Sequence, residues 1–156
     1  MKETELVFEA IRRGDQEQLK KLFIATPTLV NIRDTRGFTP LIFATYFDNL
    51  EASKLLLSFH ADVDAQDHSG NTALIGVCFK GNTSIALLLL KNGANINAQN
   101  NLGTTALTFA TMYNKEKSVR LLLDHKADTS ITDREGKTAL HYALEKDFML
   151  IANLLR

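Results

Sequence analysis

Apolar residues fall along this chain in two alternating kinds of cluster. Short ones read Leu41-Ile-Phe-Ala44, with counterparts that begin at Leu74, Leu107 and Leu140. Longer, leucine-rich ones follow them: Leu55-Leu-Leu57, Leu87-Leu-Leu-Leu90, Leu121-Leu-Leu123 and Leu154-Leu155. Asp48, Gly81, Asn114 and Asp147 break the chain after each short cluster, and Ala61-Asp62, Gly93-Ala94-Asn95 and Ala127-Asp128 break it after the long ones. The pattern predicts a short helix, a break, a longer helix and a loop, repeated in tandem.

The polar residues ahead of each short cluster repeat more strictly still. They read Asp34-Thr-Arg-Gly-Phe-Thr-Pro-Leu41, Asp67-His-Ser-Gly-Asn-Thr-Ala-Leu74, Asn100-Asn-Leu-Gly-Thr-Thr-Ala-Leu107 and Asp133-Arg-Glu-Gly-Lys-Thr-Ala-Leu140. The glycines Gly37, Gly70, Gly103 and Gly136 are 33 residues apart throughout. Asp or Asn bonds its own backbone in turns and Gly takes a positive φ, so each copy predicts a tight turn. Thr39, Thr72, Thr105 and Thr138 are placed to cap the short helix, and Pro40 suits its first position. Two helices of about ten residues do not hold together alone in water. Stacking closes the leucine rows into one core, so the period itself predicts an all-α solenoid.

These residues resemble the ankyrin repeat. The family pattern D-x-x-G-x-T-P-L-H-x-A is met at 34–44, 67–77, 100–110 and 133–143, and its G-A-D-V-N-type loop at Ala61-Asp-Val-Asp64, Gly93-Ala-Asn-Ile-Asn97 and Ala127-Asp128. His141 alone keeps the motif histidine and Pro40 alone the proline, while His60 and Lys126 replace the helix-ending glycine, which predicts some strain there. The resemblance implies one ankyrin-repeat domain over 1–156. Its expected parts are an N-terminal capping repeat (1–33), full repeats (34–66, 67–99, 100–132) and a truncated last repeat (133–156). The first lacks the Gly-Thr turn but repeats the two-helix rhythm around Gly14, with Arg12, Arg13, Asp15, Glu17, Lys20 and Lys21 suiting an end that meets water. Phe148-Met-Leu-Ile151 is apolar for a terminal cap. Two readings stand: it packs on the preceding repeat, or it is covered by another chain or by further sequence after Arg156.

Composition narrows the function by exclusion. Eighteen Lys and Arg balance eighteen Asp and Glu, so nothing favours nucleic acid or an anionic membrane as partner. The longest apolar run, Ile85 to Leu90, is too short to span a bilayer, and the charged first twenty residues do not read as a secretory leader. The single Cys78 fits a reducing, cytoplasmic setting and sits where a small buried residue belongs. His60, His68, His125 and His141 show no metal-ligand spacing, and Asp62-Val-Asp64-Ala-Gln-Asp67 has its Gly70 too late for a calcium loop. No phosphate loop, dinucleotide fingerprint or nucleophile elbow occurs. The expectation is no enzyme, no cofactor and no metal.

By resemblance, partners bind at the turn tips and the exposed side of the first helices, which together make a concave strip. Carried over by position, this implicates Arg36, Phe38, His68 and Leu102 at the tips. On the first helices it implicates Tyr46-Phe47, Phe79-Lys80, Met112-Tyr113 and Glu145-Lys146, and matching the first unit by Gly14 adds Arg12 and Arg13. At 100° per residue, Tyr46 and Phe47 lie about 140° and 240° round from Leu41, away from the core. A contiguous exposed apolar patch marks an interface, and aromatic and Arg residues dominate binding hot spots. The expected partner is a protein with an apolar ridge and an acidic flank, bound by an adaptor or an inhibitor that acts by occupancy. An immunity-type inhibitor of an enzyme or toxin is one version. Self-association through the C-terminal repeat is the rival.

Overall fold

The computed structural model describes residues 2–156. It contains ten α-helices among those residues and no strand. They are α1 (Glu3–Arg13), α2 (Gln16–Ala25), α3 (Pro40–Tyr46), α4 (Leu50–Ser58), α5 (Ala73–Lys80), α6 (Thr83–Lys91), α7 (Ala106–Met112), α8 (Glu116–Asp124), α9 (Ala139–Glu145) and α10 (Met149–Leu155). A short 3-10 helix, Pro27–Asn31, follows α2. The odd helices pack in one row, the even helices in a second, and each odd helix also packs on its own even partner. The result is the expected two-layer, all-α solenoid.

The turn chemistry follows the sequence pattern. Asp34 Oδ1 accepts from the amides of Arg36 and Phe38, both at 2.9 Å. Asp67, Asn100 and Asp133 make the same pair of bonds in the later copies. The hydroxyls of Thr39, Thr72, Thr105 and Thr138 accept from the amides of Ile42, Ile75, Thr108 and His141, which satisfies one free donor at each helix start. His141 Nδ1 accepts from the Thr138 amide at 2.9 Å and completes a capping box. The breaks after the odd helices are left-handed at Gly14, Asp48, Gly81, Asn114 and Asp147. His60 and Lys126 are forced into the same conformation, at φ 63° and 67°, where Gly93 sits at 86°.

The core is built of rows that run across the units. Leu41, Leu74 and Leu107 are buried in the odd layer, and Leu56, Leu89 and Leu122 in the even layer. Ala44, Val77, Ala110 and Ala143, all fully buried, let the odd helices approach. Burial pushes the Cys78 thiol up to about 12, so this cysteine behaves as a small apolar residue. At the far end Ile151 is buried and Phe148 packs against the core, while Met149 and Leu150 stay exposed. The apolar run therefore packs on the preceding repeat only in part.

Side chains also tie each unit to the next. Gln66 Nε2 donates to Gly70 O at 2.8 Å within its own turn and to Gln99 O at 3.1 Å in the next. Gln99 does the same to Gly103 and Thr132, and Arg33 to Gly37 and Gln66. Backbone bonds link successive turn tips: His68 N to Arg36 O, Asn101 N to Ser69 O and Arg134 N to Leu102 O.

Candidate partner-binding surface

The outer face of the odd helices takes its shape from how α3, α5 and α7 end. The last residue of α3 is Tyr46, and Phe47 caps it; Tyr113 caps α7 in the same way. A residue at that place lies at the helix end, where fewer neighbours cover it. Phe47 and Tyr113 are accordingly 54% and 49% exposed, and Tyr46 is 36% exposed. α5 runs one residue further before Gly81 stops it, which carries Phe79 and Lys80 into the helix. Both are half-buried.

The rings are not independent. Phe43 and Phe47 lie 4.7 Å apart between centroids, and Tyr46 stands edge-on to Phe47 at 5.3 Å. One unit on, Phe79 is edge-on to Tyr113 at 4.5 Å and to Phe109 at 6.3 Å. Between these two groups lies an open hollow of about 270 Å³. Ile42, Ile75 and Gly76 line it with the rings of Phe38, Tyr46, Phe79 and Phe109, and Asp67, Asn71 and Thr72 give it one polar side.

Basic groups gather at the N-terminal side. The guanidiniums of Arg12, from α1, and Arg36, from the turn tip, lie 5.8 and 5.9 Å from the centre of the Phe43 ring. Arg36 also lies 4.2 Å from the centre of the Phe38 ring. Arg12 pairs with Glu9 at 2.6 Å and Arg36 with Asp34 at 2.6 Å. Burial alone would raise the Asp34 carboxyl. The Arg36 side chain and the amides of Phe38 and Arg36 outweigh burial and hold it below the usual carboxylate range. Both arginines line two further hollows, which also take in Phe8, Phe43 and Phe47.

The structure gathers Arg12, Arg36, Phe38, Tyr46, Phe47 and Phe79 into these hollows, and Tyr113 joins them through Phe79. Arg13 is exposed beside Glu9, and Met112 is half-buried. His68 and Leu102 are exposed at the turn tips and line none of these hollows. Glu145 and Lys146 are exposed at the far end, where Glu145 pairs with Lys137 at 3.0 Å. Lys80 folds back on the preceding unit. Its ammonium donates to Tyr46 O, lies 3.4 Å from Asp48 and sits 4.6 Å from the Tyr46 ring centre. Ile75, Gly76 and Phe109 escaped the sequence reading, because they sit on faces assigned to the core.

No curated protein matches the chain. A family model described as ankyrin repeats (3 copies) matches residues 7–100 and 77–156. That family is in general non-catalytic, and its repeats serve as protein–protein interaction modules. Match, helix order and turn chemistry agree: the chain belongs to the ankyrin-repeat family.

Proposed function

We propose that the chain is a docking module that binds a partner protein along the outer face of its odd helices, as an adaptor or as an inhibitor that masks the partner's working surface. One observation carries this reading: Tyr46, Phe47 and Tyr113 expose aromatic rings on one face around an apolar hollow, with arginines at one end. Large apolar groups left in water on one contiguous face favour an interface. The partner has an apolar ridge and an acidic flank toward Arg12, Arg13 and Arg36. The location that suits this reading is the reducing cytoplasm, since the chain has one cysteine. The functional unit is the whole of residues 1–156, divided as the repeat frame divides it.

The test is capture from extract of the source cell by wild type and by Phe47→Ala and Tyr113→Ala, with the captured protein then purified and titrated. The expected loss is about 2 kcal/mol or more at the best position, with melting temperature held. Equal binding by both variants would remove this face as the interface.

A second reading rests on the far end. Leu144 is 41% exposed, yet its counterparts Thr45, Cys78 and Thr111 are buried under the following unit. With Met149 and Leu150 also exposed, this end favours self-association. Light scattering across concentration tests it: a mass that stays at one chain for wild type excludes it, and a dimer that Leu144→Ser dissolves supports it.

A further inference from the structure

The place held by Phe43 in α3 is held by Gly76 in α5, Phe109 in α7 and Tyr142 in α9. Three of the four copies thus carry a ring, and the fourth carries no side chain. A glycine inside a helix costs stability, so it needs a reason. Backbone strain is not the reason, because Gly76 is helical and absent from the positive-φ residues. Crowding is not the reason either. A Cβ added there would meet only the Tyr46 ring, at 3.7 Å, which is ordinary contact. What the missing side chain does leave is the floor of the 270 Å³ hollow.

We propose that this hollow is a socket for one aromatic side chain of the partner, which supplies the ring that the row lacks at Gly76. The proposal rests on the docking reading above and deepens it. The walls are apolar and aromatic, from Ile42, Ile75, Phe79 and Phe109. A cavity of about 150 Å³ already accepts a benzene ring. Asp67 and Asn71 at the edge offer acceptors and donors to the backbone that carries the ring.

The socket lies between α3 and α5, and the Arg12–Arg36 pair lies one crevice away, between α1 and α3. Neighbouring helices are about 8–10 Å apart. A segment of polyproline-II type, with three residues per turn at about 3.1 Å each, therefore brings the residue three positions from the socket ring to the two guanidiniums, on the same side as the ring. Arg12 and Arg36 keep free N–H donors beyond their bonds to Glu9 and Asp34. Arg33, which donates to the neutral carbonyls of Gly37 and Gln66, adds positive charge to the same crevice. That residue of the partner is an Asp or Glu.

The test is selection of short peptides from a display library on the immobilised chain, followed by anisotropy titration of the best dye-labelled peptide. The expected peptides share an aromatic residue with Asp or Glu two to four positions away. Gly76→Phe closes the socket and weakens the selected peptide by at least about tenfold. Gly76→Ala, which suits the helix and keeps the fold testable, weakens it less. Arg36→Ala weakens the same peptide, and has no effect once its acid is changed to Gln. Selected peptides without an aromatic residue, or full binding by both Gly76 variants, overturn the socket. If such peptides still lose affinity to Phe47→Ala, the docking face stands and only the socket is wrong. If no peptide is selected, or if Phe47→Ala and Tyr113→Ala are both indifferent, the docking reading falls with it.

Discussion

Phe79 stands edge-on to Tyr113, with ring centroids 4.5 Å apart, across the boundary between two repeats. Both belong to the proposed docking face, but they differ in what they support. Tyr113 is half out in water, whereas Phe79 is wedged between α5 and the rings of Phe109 and Tyr113. Sequence position alone treats the two as equal surface residues whose truncation leaves stability unchanged. The contacts say otherwise. Phe79→Ala is expected to lose about 1–3 kcal/mol in urea unfolding, from burial and from the lost ring pairs. Phe47→Ala should lose less than about 1 kcal/mol. Equal losses would show that exposure does not separate binding from folding on this face.

Gly70 isolates the coupling between units. Gly70 and Gly136 occupy the same turn position with nearly the same φ, 80° and 77°. A Cβ on Gly136 would meet nothing, whereas one on Gly70 would come 2.5 Å from Asn101 Oδ1 and 2.6 Å from Asn101 N. That amide donates to Ser69 O at 3.0 Å, one of the bonds that join successive tips. Gly136→Ala is expected to cost about 1–2 kcal/mol, for the left-handed conformation alone. Gly70→Ala should cost at least about 1 kcal/mol more, because the next tip must move. Matching losses by thermal unfolding would mean that the tips are not stacked as described.

How much of this was legible depends on how far a residue's partner lies from it. The Asp34 turn, the Thr39 cap and the left-handed break at Asp48 use partners within five residues, and four tandem copies let each be read several times. The Gln66 bridge to Gln99 O reaches 33 residues ahead to a carbonyl, which no residue type betrays. The 3-10 helix at Pro27–Asn31 lies outside the repeated motif and left no periodic signal. On the proposed docking face, exposure of Tyr46 and Phe47 follows from helical geometry. The burial of Phe79 and the opening at Gly76 depend on rings from the adjacent helix, and only a column-by-column comparison of the copies points to them.

His60 and Lys126 carry strain that the sequence does disclose. Both are β-carbon residues at φ above 60°, in the place where Gly93 sits unstrained. His60→Gly and Lys126→Gly should each stabilise the chain by about 0.5–1 kcal/mol, the relief of that strain less the entropy that glycine adds to the unfolded chain. Asn114→Gly, at φ 58°, should gain less, since Asn tolerates this region. Chemical denaturation of the three single variants decides it. A loss at His60 and Lys126 would mean that their side chains support the helix ends.

Tyr142 donates its hydroxyl to Asp133 Oδ2, a bond that joins the last helix pair to the turn before it. It should leave a mark at both ends of the pH scale. Burial alone would raise the Asp133 carboxyl. The Tyr142 hydroxyl, the amides of Lys137 and Glu135 and the Lys137 ammonium outweigh burial and hold it below its ordinary 3.8. A depressed folded value means stability that is complete above the ordinary value and is lost as pH falls through the lower one. For Tyr142 the bond to Asp133, aided by burial, pushes the phenol above its ordinary 10.0. That contribution is complete below 10.0 and is lost as pH rises through the higher folded value. Tyr142→Phe removes the bond, so near neutral pH the variant should be less stable by about 1 kcal/mol. The gap to wild type should narrow below about pH 3.8 and again above about pH 10, while Asp34, also depressed, keeps its own acid loss in both proteins. Urea midpoints for the two proteins at acid, neutral and alkaline pH measure this. A gap of constant size would show that neither group's protonation is linked to folding through this bond.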